Sequence, residues 1–527
     1  MKELINLRKQ REKHFLNKDG TITACMYDHD IHYLENGEYK EIDNTLVEEN
    51  EYITNKSNDF KIRFNNDKYL VNINLGNSYL NISLKNANET KSKIINNEVI
   101  YENVLPNIDF HYLINGSTLK ENIYLNNEIK NSIIFNIDTN LELEIRDNKV
   151  LALDKDKVIY TFNPLFMIDA NEVINRNCKY RLEKNNDFYE LEIILDQDYL
   201  MNADYPVIID PTITSDNLEN VFDVTINSDA ADSNFDFSKH LYIGNDGTGI
   251  KRALLKFDLP FISTGCNIIK ATAHLKNSVA FIHENSERIA VHEITESWDE
   301  STATWNNMSN KFNTKVETHL ETPQMLYIDT AFDFDITNIV KKWYTNNVNN
   351  GIMLKLFDES PNTSHADYSF YSKTYDGVNG TADRPYLVIE YRMQNGLLDY
   401  MTYESIPLSY GASYINNNNG NLITQISLSE ILDQTSLYGL QITYSTDSML
   451  LNQNNGFGLG FNISYNDYVI KTPNQFMETE YLYKLSDGTS HYFYQFSKGI
   501  FRDEDGINLT LEIVNEENNN YKIIAVD

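Results

Sequence analysis

Two tryptophans separated by six residues, Trp298 and Trp305, are the side chains best suited to contact a sugar ring. The CH groups of a pyranose face match the π-cloud of an indole, so exposed indoles make platforms for carbohydrates. The alternative is that both indoles pack in a core, the commoner place for tryptophans beside strands. The third tryptophan, Trp343, falls on the apolar face of a predicted helix, and we expect it in the core.

Arg252 precedes an apolar strand and is the third candidate for contact with a ligand. A guanidinium forms planar, paired hydrogen bonds with carboxylates. The alternative is therefore a half-buried ion pair with Asp258 or another carboxylate that fixes the sheet. Trp298, Trp305 and Arg252 are the ligand-binding residues that the sequence predicts.

Local motifs for catalysis do not occur in the sequence. The eleven histidines are scattered, and HExxH, GxSxG, Walker A and dinucleotide-binding patterns are missing. His274 alternates with apolar residues and is expected at an ordinary strand position. We therefore predict no catalytic residue and a protein that is not an enzyme. A polysaccharide-degrading enzyme is the alternative, because tyrosines, histidines and carboxylates that meet only in space leave no local motif.

Acidic groups raise the question of a metal ion. They cluster at Asp299-Glu300, at Asp333 with Asp335, and at 503–506, but none follows the spacing of an EF-hand loop. The three cysteines, at positions 25, 178 and 266, are far apart and form no zinc-binding pair. We predict no metal and no cofactor; a structural Ca²⁺ in the central domain is the alternative.

The charge of the chain bears on its partners. The formal net charge is −33, from 77 acidic and 44 basic residues, and it repels a phosphate backbone. Nucleic acid is therefore not expected as a partner. No apolar run approaches the ~18 residues of a membrane-spanning helix, so no membrane span is predicted. The N-terminal 1–20 stretch lacks the apolar core of a secretory signal.

The elements that position these residues are predicted to be β-strands. Apolar and polar residues alternate through much of the chain, as in Phe60–Phe64 and Tyr69–Leu75. One helix is predicted at Phe334–Tyr344, ended by Asn346–Gly351. The charged stretch Lys2–His14 is predicted to form a short helix. The expected fold class is all-β with several domains.

Proline and tryptophan positions divide the chain. The step Asp210-Pro211 cannot continue a central ladder, and all three tryptophans follow it. We expect an N-terminal antiparallel β domain at 1–211 and a central β-sandwich carrying one helix at 212–392. A linker and a Tyr-rich β region are expected at 393–527.

The central segment resembles the DNRLRE domain of bacterial surface proteins over about a third of the chain. The resemblance rests on the basic-then-apolar strand Lys251–Pro260, the tryptophan segment Ser297–Asn306, the helix at Phe334–Tyr344 and the closing strand Arg384–Tyr391. It implies a jelly-roll-like β-sandwich similar to carbohydrate-binding modules. Some such domains bind glycans, and the fold transfers more securely than the function.

The flanking segments resemble parts of wall-associated Rhs/YD-repeat proteins. Asp19–Ala24, Ile31–Asn44 and Tyr205–Pro211 resemble their leader region, and Gly456–Tyr465 with Lys484–Phe493 resemble the entry into a YD-repeat shell. The resemblance implies an extracellular or cell-wall location in a bacterium. It also implies a longer product in which a repeat shell and a toxin domain follow.

These observations predict a non-catalytic binding and scaffold region of a surface or secreted protein. The expected partner is a cell-wall or extracellular polysaccharide, bound by the central sandwich. The alternative is a structural spacer or plug that supports a downstream shell and toxin and has no ligand of its own.

Overall fold

Contacts within the chain divide it into two compact units, residues 27–220 with 9–11, and residues 221–527 with 1–8 and 12–26. The structure is a computed structural model. It describes all residues except 18–20, 96, 131, 147, 172, 186, 216–219, 237, 246, 263–265, 283–285, 361–366, 376–382, 394–395, 399–400, 433–436, 451–453, 474–478, 504–507, 516–517, 519 and 526–527.

The unit built from residues 9–11 and 27–220 consists mainly of two antiparallel sheets. In the first sheet the strand order is Lys179–Lys184, Tyr189–Ile194, Ile133–Thr139, Ser78–Leu84, Leu70–Leu75, Lys61–Asn65, Tyr52–Ser57 and Asp43–Glu49. In the second the order is Ser92–Ile95, Glu98–Leu105, Ile108–Asn115, Thr118–Leu125, Ile213–Thr214, Lys157–Phe162, Lys149–Asp154 and Glu142–Arg146, with Met167–Ile168, Ile174–Asn175 and Val207–Ile209 alongside. The hairpin His32–Glu35 with Glu38–Glu41 and the helix Gln197–Leu200 belong to the same unit.

The core of this unit lies between its two sheets, because strands turn alternate side chains inward. Phe64 of the first sheet and Tyr112 of the second have ring centroids 5.2 Å apart. Glu121 places a buried acidic side chain in this core: it is 5% exposed and accepts a hydrogen bond from the Tyr112 hydroxyl. Burial raises the pKa of Glu121 to about 8, so its carboxyl group is mainly protonated at neutral pH.

The second unit contains a sandwich of two sheets. One sheet has the strand order Lys2–Glu3, Glu12–Leu16, Ile22–Met26, Tyr386–Arg392, Asn267–Lys276 and Ala331–Asp335. The other has the order Thr318–Glu321, Arg288–Glu293, Ile352–Leu356, Ile250–Phe257, His240–Asn245 and Tyr368–Tyr371, with Val221–Asn227 beside Ile250–Phe257. Buried apolar residues of both sheets form one cluster between them. The small pair Phe281–Ile282 with Met325–Leu326 and the 3-10 turn Ser228–Ala230 are further elements.

A helix, Thr337–Asn346, packs on the sandwich and buries Trp343, as predicted. It begins later than the predicted helix, since Phe334 and Asp335 still belong to the strand Ala331–Asp335. The Asp335 carboxylate accepts hydrogen bonds from the Thr337 amide (2.9 Å) and hydroxyl (2.6 Å), which satisfies a free N–H at the start of the helix. The residue that follows the helix, Asn347, has a left-handed φ of 54°, which ends the helix.

The prediction of a helix at Lys2–His14 is wrong. Lys2–Glu3 and Glu12–Leu16 are strands, with a 3-10 turn at Ile5–Leu7 between them. Ile22–Met26 then pairs antiparallel with Tyr386–Arg392 of the sandwich. Pairing with a distant strand and burial of apolar side chains outweigh the weak local helix propensity of this charged segment.

Two further sheets follow the sandwich. The first has the order Tyr403–Leu408, Gly411–Asn416, Leu422–Leu432, Leu437–Ser445 and Phe461–Ile463, with the helix Thr446–Leu450. The second is a meander of Tyr468–Pro473, Thr479–Lys484, Ser490–Ser497, Ile500–Asp503, Leu509–Asn515 and Asn520–Ala525. The predicted fold class, all-β with several domains, is confirmed.

The predicted division at 1–211, 212–392 and 393–527 stays a prediction, as does the jelly-roll strand order. The boundaries of the two compact units differ from the predicted ones. Ile22–Met26 joins the sheet of the sandwich, and Ile213–Thr214 still pairs with Thr118–Leu125 of the first unit.

Candidate functional site

The outer face of the strand Ile250–Phe257 carries the predicted arginine. Alternation places Leu254 in a small second core on this face, together with Val224 and Ile226 of the neighbouring strand. Residues 295–313, which include the helix Trp305–Met308, supply Ala303 and Met308 to the same core. The sandwich therefore buries both faces of this strand.

Arg252 is held by the protein itself. Its Nε and Nη2 donate to the two carboxylate oxygens of Glu359 at 2.7 and 2.8 Å, and Nη1 donates to the Ser309 carbonyl at 2.6 Å. The side chain is buried, at 8% exposure. The carboxylate partner is thus Glu359 rather than Asp258, held in a paired geometry. The bond to the Ser309 carbonyl joins residues 295–313 to the sheet.

Trp305 lies against Arg252. The guanidinium carbon is 4.6 Å from the centre of the indole, and 5.4 Å from the centre of Phe312. Such cation–π contacts stabilise a buried guanidinium. The structure therefore brings two of the three predicted residues together, in a contact that already occupies both side chains.

Trp298 packs against the same small core as Trp305. It also belongs to a half-buried group of four side chains that we call the Phe222 patch: Phe222, Lys256, Trp298 and Lys373. The Lys256 ammonium is 4.2 Å from the centre of the Phe222 ring and 5.5 Å from that of Trp298. Trp298 donates its indole N–H to the Asn350 carbonyl at 2.8 Å, which fixes the ring. Lys373 pairs with Glu300, whereas Lys256 has no carboxylate partner among the described residues.

A second aromatic group was not predicted from the sequence. His240, Tyr242, Tyr371 and Tyr375 form this tyrosine cluster; the rings of Tyr371 and Tyr375 have centroids 4.1 Å apart. The Tyr371 hydroxyl donates to Asp329 at 2.9 Å, and the pKa of this tyrosine is raised by burial. The pairing of His240 with Tyr371 across two strands creates the group, and the only signal in the sequence is the local enrichment in tyrosine.

Of the remaining candidates for chemistry, His274 and Asp299 have partners within the protein. His274 contacts Asp333 at 2.6 Å and stacks on Tyr386 at 4.6 Å between ring centroids, which agrees with an ordinary strand position. Asp299 accepts a hydrogen bond from the Ser301 amide at 2.9 Å in a turn. The acidic cluster at 503–506 lies largely outside the described residues. Cys25, Cys178 and Cys266 are free thiols.

Fold and site together define a multi-domain all-β protein whose central sandwich bears half-buried aromatic groups. Residues 214–391, which form this sandwich except for its three N-terminal strands, match the model of carbohydrate-binding module family 96. The match supports the part of the prediction that assigned a carbohydrate-binding type of sandwich to this segment.

Curated relatives are wall-associated proteins or nucleases. The chain is 23% identical over 434 residues to the tRNA3(Ser)-specific nuclease WapA of Bacillus spizizenii, covering 75% of this chain and 18% of that protein. It is 24% identical over 326 residues to the tRNA nuclease WapA of Bacillus subtilis, covering 58% and 13%. A wall-associated protein of Geobacillus stearothermophilus is 25% identical over 194 residues, covering 32% and 75%.

The comparisons correct the prediction that the protein is not an enzyme. Relatives that match 58–75% of this chain are named as tRNA nucleases, although the chain spans less than a fifth of their length. The absence of a local motif was an insufficient reason for that prediction, because catalytic groups that meet in space leave no motif.

The predicted location is supported in its coarse form. The wall-associated relative and the carbohydrate-binding module both point to the cell wall or the extracellular space. Within the described part of the chain, no helix has the length and apolar character needed to cross a membrane.

Proposed function

We propose that the sandwich at residues 214–391 binds a polysaccharide of the bacterial cell wall. The match of this segment to carbohydrate-binding module family 96 carries the proposal. The wall-associated name of one relative supports the cell wall as the source of the polymer.

The Phe222 patch is the surface that we assign to the polymer. Arg252 and Trp305 are occupied by each other and by Glu359, so they act as supports of the fold in this proposal. Trp298 and Phe222 are half-buried and keep part of each ring accessible. Lys256 lies against both rings and supplies N–H donors for sugar hydroxyls.

The test is binding of the full chain to wall polysaccharides and to a panel of neutral glycans, compared among three variants. Trp298→Ala and Phe222→Ala are expected to weaken binding roughly tenfold each, because a stacked ring contributes about 1 kcal/mol beyond its buried area. Tyr327→Ala is the matched control, since Tyr327 is 65% exposed on the sandwich and outside the patch.

Each outcome decides one part of the proposal. Binding by the wild type that Trp298→Ala leaves unchanged would move the site away from the Phe222 patch, and Tyr375→Ala would then test the tyrosine cluster. No binding to any polymer would overturn the carbohydrate assignment and favour the spacer alternative.

Cleavage of tRNA is the second candidate function, favoured by the names of the Bacillus relatives. The measurement is incubation of the full chain with total tRNA, with and without divalent cations, followed by gel electrophoresis. Cleavage would assign the activity to these residues. Intact tRNA would overturn the assignment of the activity to this stretch.

A further inference from the structure

A small polar pocket lies beside the strand Thr479–Lys484. Its free volume is about 20 Å³, and Ser448, Asn462, Tyr468, Lys484 and Gly488 are among the residues that line it. This volume admits one water-sized group, since roughly 10–15 Å³ is the minimum for a water. None of the lining residues is acidic, in a chain with 77 acidic residues.

Strand register brings Lys484 to the pocket. Lys484 is paired with Tyr468 on one neighbouring strand and with Ser490 on the other, so the side chains of these residues lie on one face of the meander. Gly488 follows with a φ of 91°, and a Cβ at this position would lie 4.0 Å from the Ser448 hydroxyl. The turn after Lys484 therefore passes close to the helix Thr446–Leu450.

The ammonium group of Lys484 has no hydrogen-bond or carboxylate partner among the described residues. The two nearby carboxylates in the sequence are engaged elsewhere: Asp467 accepts from the Ser486 amide at 2.6 Å and Asp487 from the Thr489 amide at 2.8 Å. Burial lowers the pKa of Lys484 to about 8, so most of the lysine is still cationic at pH 7. An unpaired ammonium in a desolvated position is destabilising unless an anion joins it.

Other lining groups also offer donors. Asn462 accepts a hydrogen bond from Asn466 at 2.8 Å through its carbonyl oxygen, which leaves the amide N–H groups of Asn462 available. Ser448 is 9% exposed, and its hydroxyl has no partner among the residues that the structure describes. An ammonium, a hydroxyl and an amide with no carboxylate suit an anion and not a cation.

We propose that this pocket binds a single anion of the size of chloride between Lys484, Ser448 and Asn462. The free volume is too small for a phosphate or sulfate to enter whole. The bound anion neutralises Lys484 and stabilises the junction between the meander and the helix Thr446–Leu450.

The test is thermal unfolding of the full chain in sodium chloride and in sodium gluconate at equal ionic strength. Chloride is expected to raise the unfolding midpoint progressively as its concentration L rises, because a ligand that binds only the folded state stabilises it by RT ln(1 + L/Kd), whereas the larger gluconate is expected to have no such effect. Lys484→Met is expected to raise the chloride Kd fitted to this concentration dependence roughly tenfold, the value of a charged hydrogen bond. Lys522→Met, an exposed lysine of the same meander, is the matched control.

Crystals soaked in sodium bromide give a second readout that does not require a variant to fold. An anomalous peak between Lys484 and Ser448 is the expected result, and Ser448→Ala should lower its occupancy. Equal midpoints in chloride and gluconate, or a pocket that contains only water in bromide, would overturn the proposal.

Discussion

At the scale of single residues, Arg252 shows how an apparent ligand-binding side chain becomes part of the fold. Its guanidinium joins the sheet to Glu359 and to the Ser309 carbonyl, and Trp305 covers it. Removing one partner of a buried ion pair leaves the other charge desolvated, which costs more than the pair contributes. The same residue would be a weak choice for contact with a polymer, because three of its donor positions are already occupied.

Arg252→Met is expected to lower the free energy of unfolding of the sandwich by about 1.5–3 kcal/mol, the value of hydrogen bonds to a charged group. Lys355, which pairs with Glu359 at 3.0 Å, keeps that carboxylate from being left without a cation. The measurement is urea unfolding followed by tryptophan fluorescence, which reports on this region because Trp298, Trp305 and Trp343 are the three tryptophans of the chain. Lys342→Met is the control; its exposed pair with Glu293, at 2.8 Å, should contribute less than about 1 kcal/mol. Equal effects of the two variants would contradict the role assigned to Arg252.

Glu121 predicts a pH dependence in the other unit. Its pKa is raised from 4.5 to about 8 by burial, so between these values the folded state holds a proton that the unfolded state releases. Stability must then fall as pH rises through this range, by up to about 4–5 kcal/mol. We expect Glu121→Gln to remove this fall, and exposed Glu142→Gln to keep it. Hydrogen exchange of the amides in Thr118–Leu125 measures it; a wild type whose protection is constant from pH 5 to pH 8 would contradict the assignment.

At the scale of elements, the N-terminal strands are integral to the sandwich. Ile22–Met26 pairs along Tyr386–Arg392, so the latter is an inner strand of its sheet and not an edge. Leu4, Ile22 and Ala24 bury their side chains with Tyr391. A free edge at Tyr386–Arg392 would expose unpaired backbone groups and these apolar side chains.

Ile22→Ala is expected to destabilise the sandwich by about 2–5 kcal/mol, because Ile22 is fully buried and the substitution leaves a cavity. Thr23→Ser, on the opposite face of the same strand, is the control; it keeps the hydroxyl that accepts from Asn17 at 2.8 Å and should change stability by less than about 1 kcal/mol. Tryptophan fluorescence in urea again gives the measurement. If Ile22→Ala unfolded at the wild-type midpoint, the N-terminal strands would not contribute to the fold of the sandwich.

At the scale of the whole molecule, the net charge of −33 limits which polymers approach the protein. Repulsion between the chain and an anionic polymer is screened by salt, whereas stacking on a neutral sugar is not. We expect affinity for a neutral polysaccharide to change less than about twofold between low and high salt, and retention on an anionic polymer to rise with salt. A steep loss of neutral-polymer affinity in salt would show that Lys256 and other charges, not ring stacking, dominate the contact.

Local pattern was enough to determine the secondary structure class and several buried positions. The period of two along the strands produced the all-β prediction, and the spacing of apolar residues in Thr337–Asn346 placed Trp343 in the core. These features depend on the pattern of residues that are only a few positions apart, so they can be predicted from the sequence. The resemblance of the central segment to a known domain family likewise implied a carbohydrate-binding type of sandwich.

Only the tertiary structure decided which side chains meet. It paired Arg252 with Glu359 rather than Asp258, packed Trp298 and Trp305 against one small core, and joined the strand Ile22–Met26 to the strand Tyr386–Arg392. Each of these outcomes depends on register between segments far apart in the chain. The free energy of such contacts comes from burial and pairing in the folded state, which local spacing does not encode.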